Sequence, residues 1–294
     1  MPVAFGLAAA LLWGISDVLA RFSARGLGPL RSLYFGQLPG LALLTVWLLA
    51  VPSAHAEIWR APPGAWGAAL LASPLNLFAS YALTRAVTVG TLALVMPLIS
   101  SYGAVSTLLA VASGEALGRG AALGLLATLC GAALAAAHRP ARTAGEPRRA
   151  GLRLPAGVPW ALAAAMTFGL TVWMQGTLVV PRLGSVIPVW IYAATAIPLL
   201  SCGSRLLGQS LAPPPRRKLL LALGTGLLTA CAYAAVSLGL STGQVAIVSV
   251  LSSLSSAVSA LLGFTVLGER LARWQWGGIG LIMAGVATIN ATLH

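Results

Sequence analysis

Asp17 is the one acidic side chain set inside an apolar stretch of this chain; Glu57, Glu115, Glu146 and Glu269 fall at loops or helix ends. A carboxyl group in such surroundings is costly enough to read as functional by default, either as a proton site or as the counter-ion of a cationic solute. Arg21 stands at i+4 on the same helical face, so a structural pair is the alternative reading. The second concentration of polar chemistry is Ser249 to Arg270, a run uncharged until its last two residues. Within it Ser249, Ser252, Ser253 and Ser256 recur at i, i+3, i+4 and i+7, which places four hydroxyls on one stripe of a helix. Asn76 and Gln175 are further polar side chains among apolar ones, and hydrocarbon offers none of these groups a hydrogen-bond partner.

These residues do not compose a catalytic set. Five acidic residues and three histidines, two of them (His138 and His294) beside or at chain ends, supply no nucleophile with its base and acid. Neither a phosphate-binding loop nor a metal-ligand spacing is present, so the sequence predicts no enzyme, no metal and no cofactor. Cys130, Cys202 and Cys231 sit inside apolar runs and read as packing residues. The polar groups share their stretches with Trp13, Tyr81, Tyr102, Phe168, Trp173, Tyr192 and Tyr233. Aromatic walls beside hydroxyls suit a cavity for a small amphipathic or aromatic molecule.

The elements that must hold such a cavity are membrane spans. Hydrophobic residues make up 58% of the 294 and charged residues 8%, against roughly one-quarter charged in a soluble domain. Cutting at charges leaves apolar runs at Ser32 to Val51, Ala61 to Thr84, Ala86 to Gly114, Gly120 to Ala137, Leu154 to Pro181, Leu183 to Ser204, Leu219 to Gly268 and Trp274 to Leu293. A crossing needs about 20 residues. The run from Leu219 holds two with a turn at Ser241 to Gln244, and Val3 to Ala20 adds a first, giving ten. That first stretch has no basic leader and is kept as a span rather than a signal peptide. The net charge of +13 is scattered over short loops, which predicts a bilayer and no nucleic acid as partner.

The chain repeats itself once. Leu7 to Ile15 (LAAALLWGI) aligns with Leu162 to Leu170 (LAAAMTFGL), Thr88 to Val95 with Ser241 to Val248, and Gly114 to Leu117 (GEAL) with Gly268 to Leu271 (GERL). The expected organisation is a five-helix repeat over residues 1–137, a basic linker loop over 138–155 and a second five-helix repeat over 156–294. Five is odd, so the second repeat lies upside down relative to the first: an all-α polytopic membrane protein of ten helices in two inverted repeats. Pro39, Pro74, Pro97, Pro188 and Pro198 fall inside spans, where each frees a carbonyl and kinks the helix. Gly120 with Gly124, and Gly280 with Ala284, predict close helix packing, inside a monomer or at a homodimer seam.

Alternate loops differ sharply in charge. Arg21, Arg25, Arg31, Arg85, Arg139, Arg142, Arg148, Arg149, Arg153, Arg205, Arg216, Arg217, Lys218, Arg270 and Arg273 fall on one side, against Arg60, Arg119 and Arg182 on the other. The first group should face the cytoplasm, which puts both termini outside.

The Trp-Gly of the first span (Trp13, Gly14), Pro97 midway along the fourth, the duplicated Gly-Glu-x-Leu (Gly114, Glu115, Leu117; Gly268, Glu269, Leu271) and the small-residue fifth and tenth spans together resemble the EamA family of the drug/metabolite transporter superfamily. The resemblance covers nearly the whole chain. It implies alternating access around a central cavity lined by the first, third, fourth, sixth, eighth and ninth spans, with Pro97 as a hinge. It also implies transport of amino acids, other metabolites or drugs, often outward. Val250 or Leu251 stands where the second half of the family pattern has a proline, and the termini of the family are usually drawn in the cytoplasm. The expected function is therefore secondary export of small organic metabolites or drugs across the cell inner membrane, with or without proton coupling. The residues expected to meet substrate are Trp13, Asp17, Asn76, Tyr81, Tyr102, Phe168, Trp173, Gln175, Tyr233 and the four serines. The runner-up reading is a non-transporting membrane subunit engaged in lipid handling or complex assembly.

Overall fold

The computed structural model describes residues 2–50, 62–114, 119–136, 154–184, 186–240, 255–268 and 273–292. Among them every regular element is a helix. In chain order these are α1 (Pro2–Leu27), α2 (Pro29–Ala50), α3 (Pro63–Val89), α4 (Leu92–Ser100), α5 (Tyr102–Ala112), α6 (Arg119–Ala136) and α7 (Val158–Met174). A π-helical turn (Gln175–Val179) leads into the short α8 (Val180–Leu183), followed by α9 (Ile187–Leu206), α10 (Arg216–Leu240), α11 (Ser255–Thr265) and α12 (Arg273–Thr292). Six stretches are long and apolar enough to cross a membrane: Ala4–Leu27, Pro29–Ala50, Pro63–Val89, Val158–Leu183, Ile187–Leu206 and Arg216–Ala235.

The fourth expected span is two helices rather than one. Pro97 cannot donate a backbone hydrogen bond, and the chain turns at Ser101, between α4 and α5. Ser100 donates its hydroxyl to the Pro97 carbonyl at 2.7 Å and so meets part of the hydrogen-bonding need at the break. The first half of the ninth expected span, including Ser249, Ser252 and Ser253, lies outside the described residues, as do Glu115 and Glu269. The glycines of the duplicated motif, Gly114 and Gly268, both adopt left-handed backbone, φ 99° and 63°, the conformation that ends a helix at lowest cost when no Cβ is present.

The outside of the bundle is apolar. Leu7, Leu11, Ile15 and Phe22 make an exposed stripe along α1, and Val46 and Leu49 on α2 are 64% and 73% exposed. In water such surface would aggregate; against lipid tails it is ordinary, and the chain is a multi-pass membrane protein. Lipid tails are as apolar as leucine, so helices associate here through close packing and not through burial of apolar surface. Small residues supply that closeness. Ala65, Ala69, Ala72, Ala79, Ala82 and Ala86 line the buried side of α3, and Ala161, Ala164, Ala165 and Gly169 are buried on α7, which packs against it.

Four seams depend on a missing side chain. A methyl on Gly14 would run into Val258, and one on Gly169 into Val105, so α1 lies tight on α11 and α7 on α5. A methyl on Gly226 would meet the Gly36 carbonyl, which draws α2 against α10. The α6–α12 seam uses Gly124, Gly131, Gly278 and Gly285. Gly280 and Ala284, expected in close helix packing inside a monomer or at a homodimer seam, are exposed on this chain and take no part in the α6–α12 seam, and nothing lies within 4 Å of where a Gly280 side chain would stand. The physical reason is helical phase, since Gly278, Ile282 and Gly285 already occupy the inward stripe.

Candidate functional site

Consecutive residues on α1 divide the work of building a polar interior, because each step turns about 100° around the helix. Ile15 faces outward at 44% exposure. Ser16 points to α10, with its hydroxyl 3.1 Å from the Thr225 carbonyl and 2.8 Å from the Thr229 hydroxyl. Asp17 accepts a hydrogen bond from Ser259 of α11, Oγ to Oδ2 2.6 Å. The donor lies three residues past Ser256, the last of the four serines predicted as a stripe, and is not one of them. Gly14 makes the bond feasible, because its lack of a side chain admits Val258 and brings the neighbouring Ser259 within reach of Asp17.

A cavity of about 220 Å³ opens where α1, α2, α3, α7, α9 and α10 converge. Trp13, Ser16 and Asp17 line it from α1; Ser32, Gln37 and Leu44 from α2; Asn76, Ser80 and Thr84 from α3. Phe168 contributes from α7, Tyr192 from α9, and Thr225, Thr229 and Tyr233 from α10. Trp13 and Tyr233 meet edge to face with ring centres 5.2 Å apart. Tyr192 is a second node: its hydroxyl receives Gln37 Nε2 at 3.2 Å and lies 2.9 Å from the Ser80 hydroxyl, tying α2, α3 and α9 together.

Six of the residues singled out from sequence therefore share one cavity: Trp13, Asp17, Asn76, Phe168, Tyr192 and Tyr233. The other described ones lie elsewhere. Tyr81 packs edge to face on Trp160 at 6.0 Å, and Tyr102 on Phe168 at 6.3 Å behind the wall. Trp173 donates to the Ser113 hydroxyl at 3.1 Å in an exposed position. Gln175 opens the π-helical turn, and Ser256 is buried on α11. Pro97 is buried in α4, one turn before the break at Ser101.

Sequence reading passed over Ser16, Gln37, Ser80, Thr225, Thr229 and Ser259. Their signal is weak because most hydroxyls in these helices bond to their own backbone four residues back, as Ser73, Thr84, Thr128 and Thr195 do, and a hydroxyl so engaged looks the same in sequence as one that crosses to a neighbour. The lining also differs from the family expectation in drawing on the second and seventh spans, α2 and α9. The Gly36–Gly226 approach explains the former, since it seats α2 beside α10.

What the arrangement can do follows from which groups are already spent. Among the described residues Asn76, the Trp13 indole and the Tyr233 hydroxyl carry no hydrogen bond within the protein, and Asp17 Oδ1 is not the oxygen that Ser259 engages. Donors and acceptors on a cavity wall that are free of protein partners are available to water or to a solute.

A helical bundle with a lipid-facing exterior and a polar, aromatic-walled interior is the architecture of a membrane transporter. The model of the EamA-like transporter family, a family of the drug/metabolite transporter superfamily, matches residues 155–291. No curated protein matches the chain. Of 13 matching solved chains, one, a crystal structure described only as that of a protein, aligns over 99% of this chain and 96% of its own length, with TM-score 0.62 and 20% identity. At that identity the likeness carries the fold alone.

Proposed function

We propose that this chain is a secondary transporter of small organic metabolites or drugs, working as an exporter in the cell inner membrane by alternating access to the cavity between its two halves. The observation that carries this reading is the cavity itself: unspent polar groups and aromatic rings enclosed by helices whose outer faces are apolar. Residues 1–137 and 156–294 act as inverted repeats joined by the loop 138–155. Helix packing supports the exchange of halves, because α1 packs on α10 and α11 while its counterpart α7 packs on α3 and α5. Pro97 and the break at Ser101 serve as a hinge, and Asp17 serves as a proton or cation site. Purified protein in liposomes should move a member of a broad solute panel faster than empty liposomes, with or without an imposed proton gradient. Flux equal to empty liposomes across the whole panel refutes the reading.

A further inference from the structure

We infer that the occupant of the cavity is a monovalent organic cation, an amine with a compact apolar or aromatic body, and not an amino acid or an organic anion. This rests on the transporter reading and narrows it.

The charge inventory of the wall decides the matter. Asp17 is the one charged side chain among the described lining residues. Arg21, a turn further along α1, is buried outside that lining. The remainder of the tenth helix and the chain up to Gly268, including the stretch outside the described residues, contains no charged residue, so α11 and its approach add no cation. An ion leaving water for such a site needs an opposite charge to offset its lost hydration. An ammonium group finds one in Asp17. A free carboxylate would face Asp17 as a like charge, with no Lys or Arg in the wall to offset it. An amino acid would satisfy its ammonium end and strand its carboxylate end.

Two further features point the same way. Among the described residues Asp17 is held by a single hydroxyl, Ser259 at 2.6 Å, which orients the carboxyl group and brings no opposite charge to it. Trp13, one turn before Asp17 on α1, and Tyr233 both line the cavity and meet edge to face at 5.2 Å, so aromatic rings share the wall with the Asp17 carboxyl group. Aromatic faces attract cations and do nothing comparable for anions.

The test uses four probes that share one ring and differ in charge: 2-phenylethylammonium, 2-phenylethanol, phenylacetate and phenylalanine, each titrated at neutral pH into the full chain in lipid nanodiscs. The amine is expected to bind at least about tenfold more tightly than the other three. Asp17→Asn should lower the amine to the level of the alcohol measured on the same variant, with folding checked by thermal unfolding. The ranking on the unaltered chain needs no variant and stands even where Asp17→Asn does not fold. Phenylacetate or phenylalanine binding as tightly as the amine, an undiminished preference in folded Asp17→Asn, or no binding above empty nanodiscs overturns the inference. Liposome flux of uncharged or anionic solutes without any amine preference removes the cation assignment and keeps the transporter. Firm amine binding with no flux of any solute does the reverse.

Discussion

Gly131 of α6 and Gly285 of α12 face each other's helix through matching contacts. A methyl on Gly131 would stand 2.6 Å from the Ile282 amide nitrogen and 2.7 Å from the Gly278 carbonyl oxygen. One on Gly285 would stand 2.6 Å from the Thr128 amide nitrogen and 2.5 Å from the Gly124 carbonyl oxygen. Gly124 and Gly278, Thr128 and Ile282, and Gly131 and Gly285 are separated by the same 154 residues. The seam is thus built twice from one pattern, and Gly14 on Val258 with Gly169 on Val105 repeats the relationship deeper in the bundle.

Because those contacts are with backbone, no rotamer change can relieve an added methyl. Gly131→Ala and Gly285→Ala should each cost about 1–3 kcal/mol or more, whereas Gly280→Ala, with open space around it, should be close to neutral. Thermal unfolding in one detergent compares all three, and equal midpoints would contradict the seam.

Asp17 separates two roles by experiment. If it carries protons, Asp17→Asn should abolish gradient-driven flux while leaving folding, and the counterflow exchange of uncharged solutes, largely intact. Ser259→Ala, which removes the single hydrogen bond at 2.6 Å, should shift the pH profile of flux without abolishing it. An Asp17→Asn protein with unaltered pH dependence would leave the residue a structural one.

Tyr192 joins three helices through one hydroxyl. Tyr192→Phe keeps the ring and removes both hydrogen bonds, each worth about 0.6 kcal/mol between membrane helices. The expected loss is about 1 kcal/mol in unfolding, with a larger effect on transport rate than on the binding of solute. Removing Thr195 Oγ1, which bonds within its own helix to Ile191, should not change transport.

Ser101 carries a buried hydroxyl with no hydrogen-bond partner at the break between α4 and α5. Such a group contributes its desolvation penalty and little else. Ser101→Ala should leave the unfolding midpoint unchanged or raise it, and a drop of several degrees would show that the hydroxyl is satisfied during the transport cycle.

Orientation can be read directly. Fifteen of eighteen Lys and Arg residues fall on one side of the predicted spans, so a C-terminal phosphatase fusion should be active and a C-terminal fluorescent-protein fusion dark. The opposite pattern places the termini in the cytoplasm. At the basic end, Arg25 donates to the Thr88 carbonyl at 3.1 Å, Arg31 to the Ala212 carbonyl at 2.6 Å and Lys218 to the Gly26 carbonyl at 3.0 Å, so some of this charge also ties helix ends together.

The all-helical, membrane-spanning character was legible because composition alone sets the solvent: apolar runs of span length with breaks at charged loops. Gly14 and Gly169 were visible as aligned letters, but their partners Val258 and Val105 were not, since packing across the bundle leaves no trace in local spacing. The polar interior was half legible. A carboxylate or an amide in an apolar run, such as Asp17 or Asn76, stands out by its cost, whereas Ser16, Ser80 and Thr229 look like the many hydroxyls that bond their own helix. Trp173 shows the converse, because an indole in an apolar span fits a wall, an interface or, as here, a bond to Ser113. Gly280 and Ala284 satisfy a spacing rule on the face of their helix turned away from the α6–α12 seam.

The π-helical turn at Gln175–Val179 has no equivalent in the first half. Its counterpart on the spacing of the first-span match is Ala20 to Ala24, which lies in unbroken α1. By the same spacing Asp17 corresponds to Val172. Two identical halves exchanged by a twofold operation would make the inward-facing and outward-facing states equal in free energy, and an empty transporter would divide its time evenly between them. On the alternating-access reading proposed above, a wide turn on one side and a carboxylate on the other remove that degeneracy, and the empty bundle is expected to favour one side of the membrane before any solute or ion gradient acts on it.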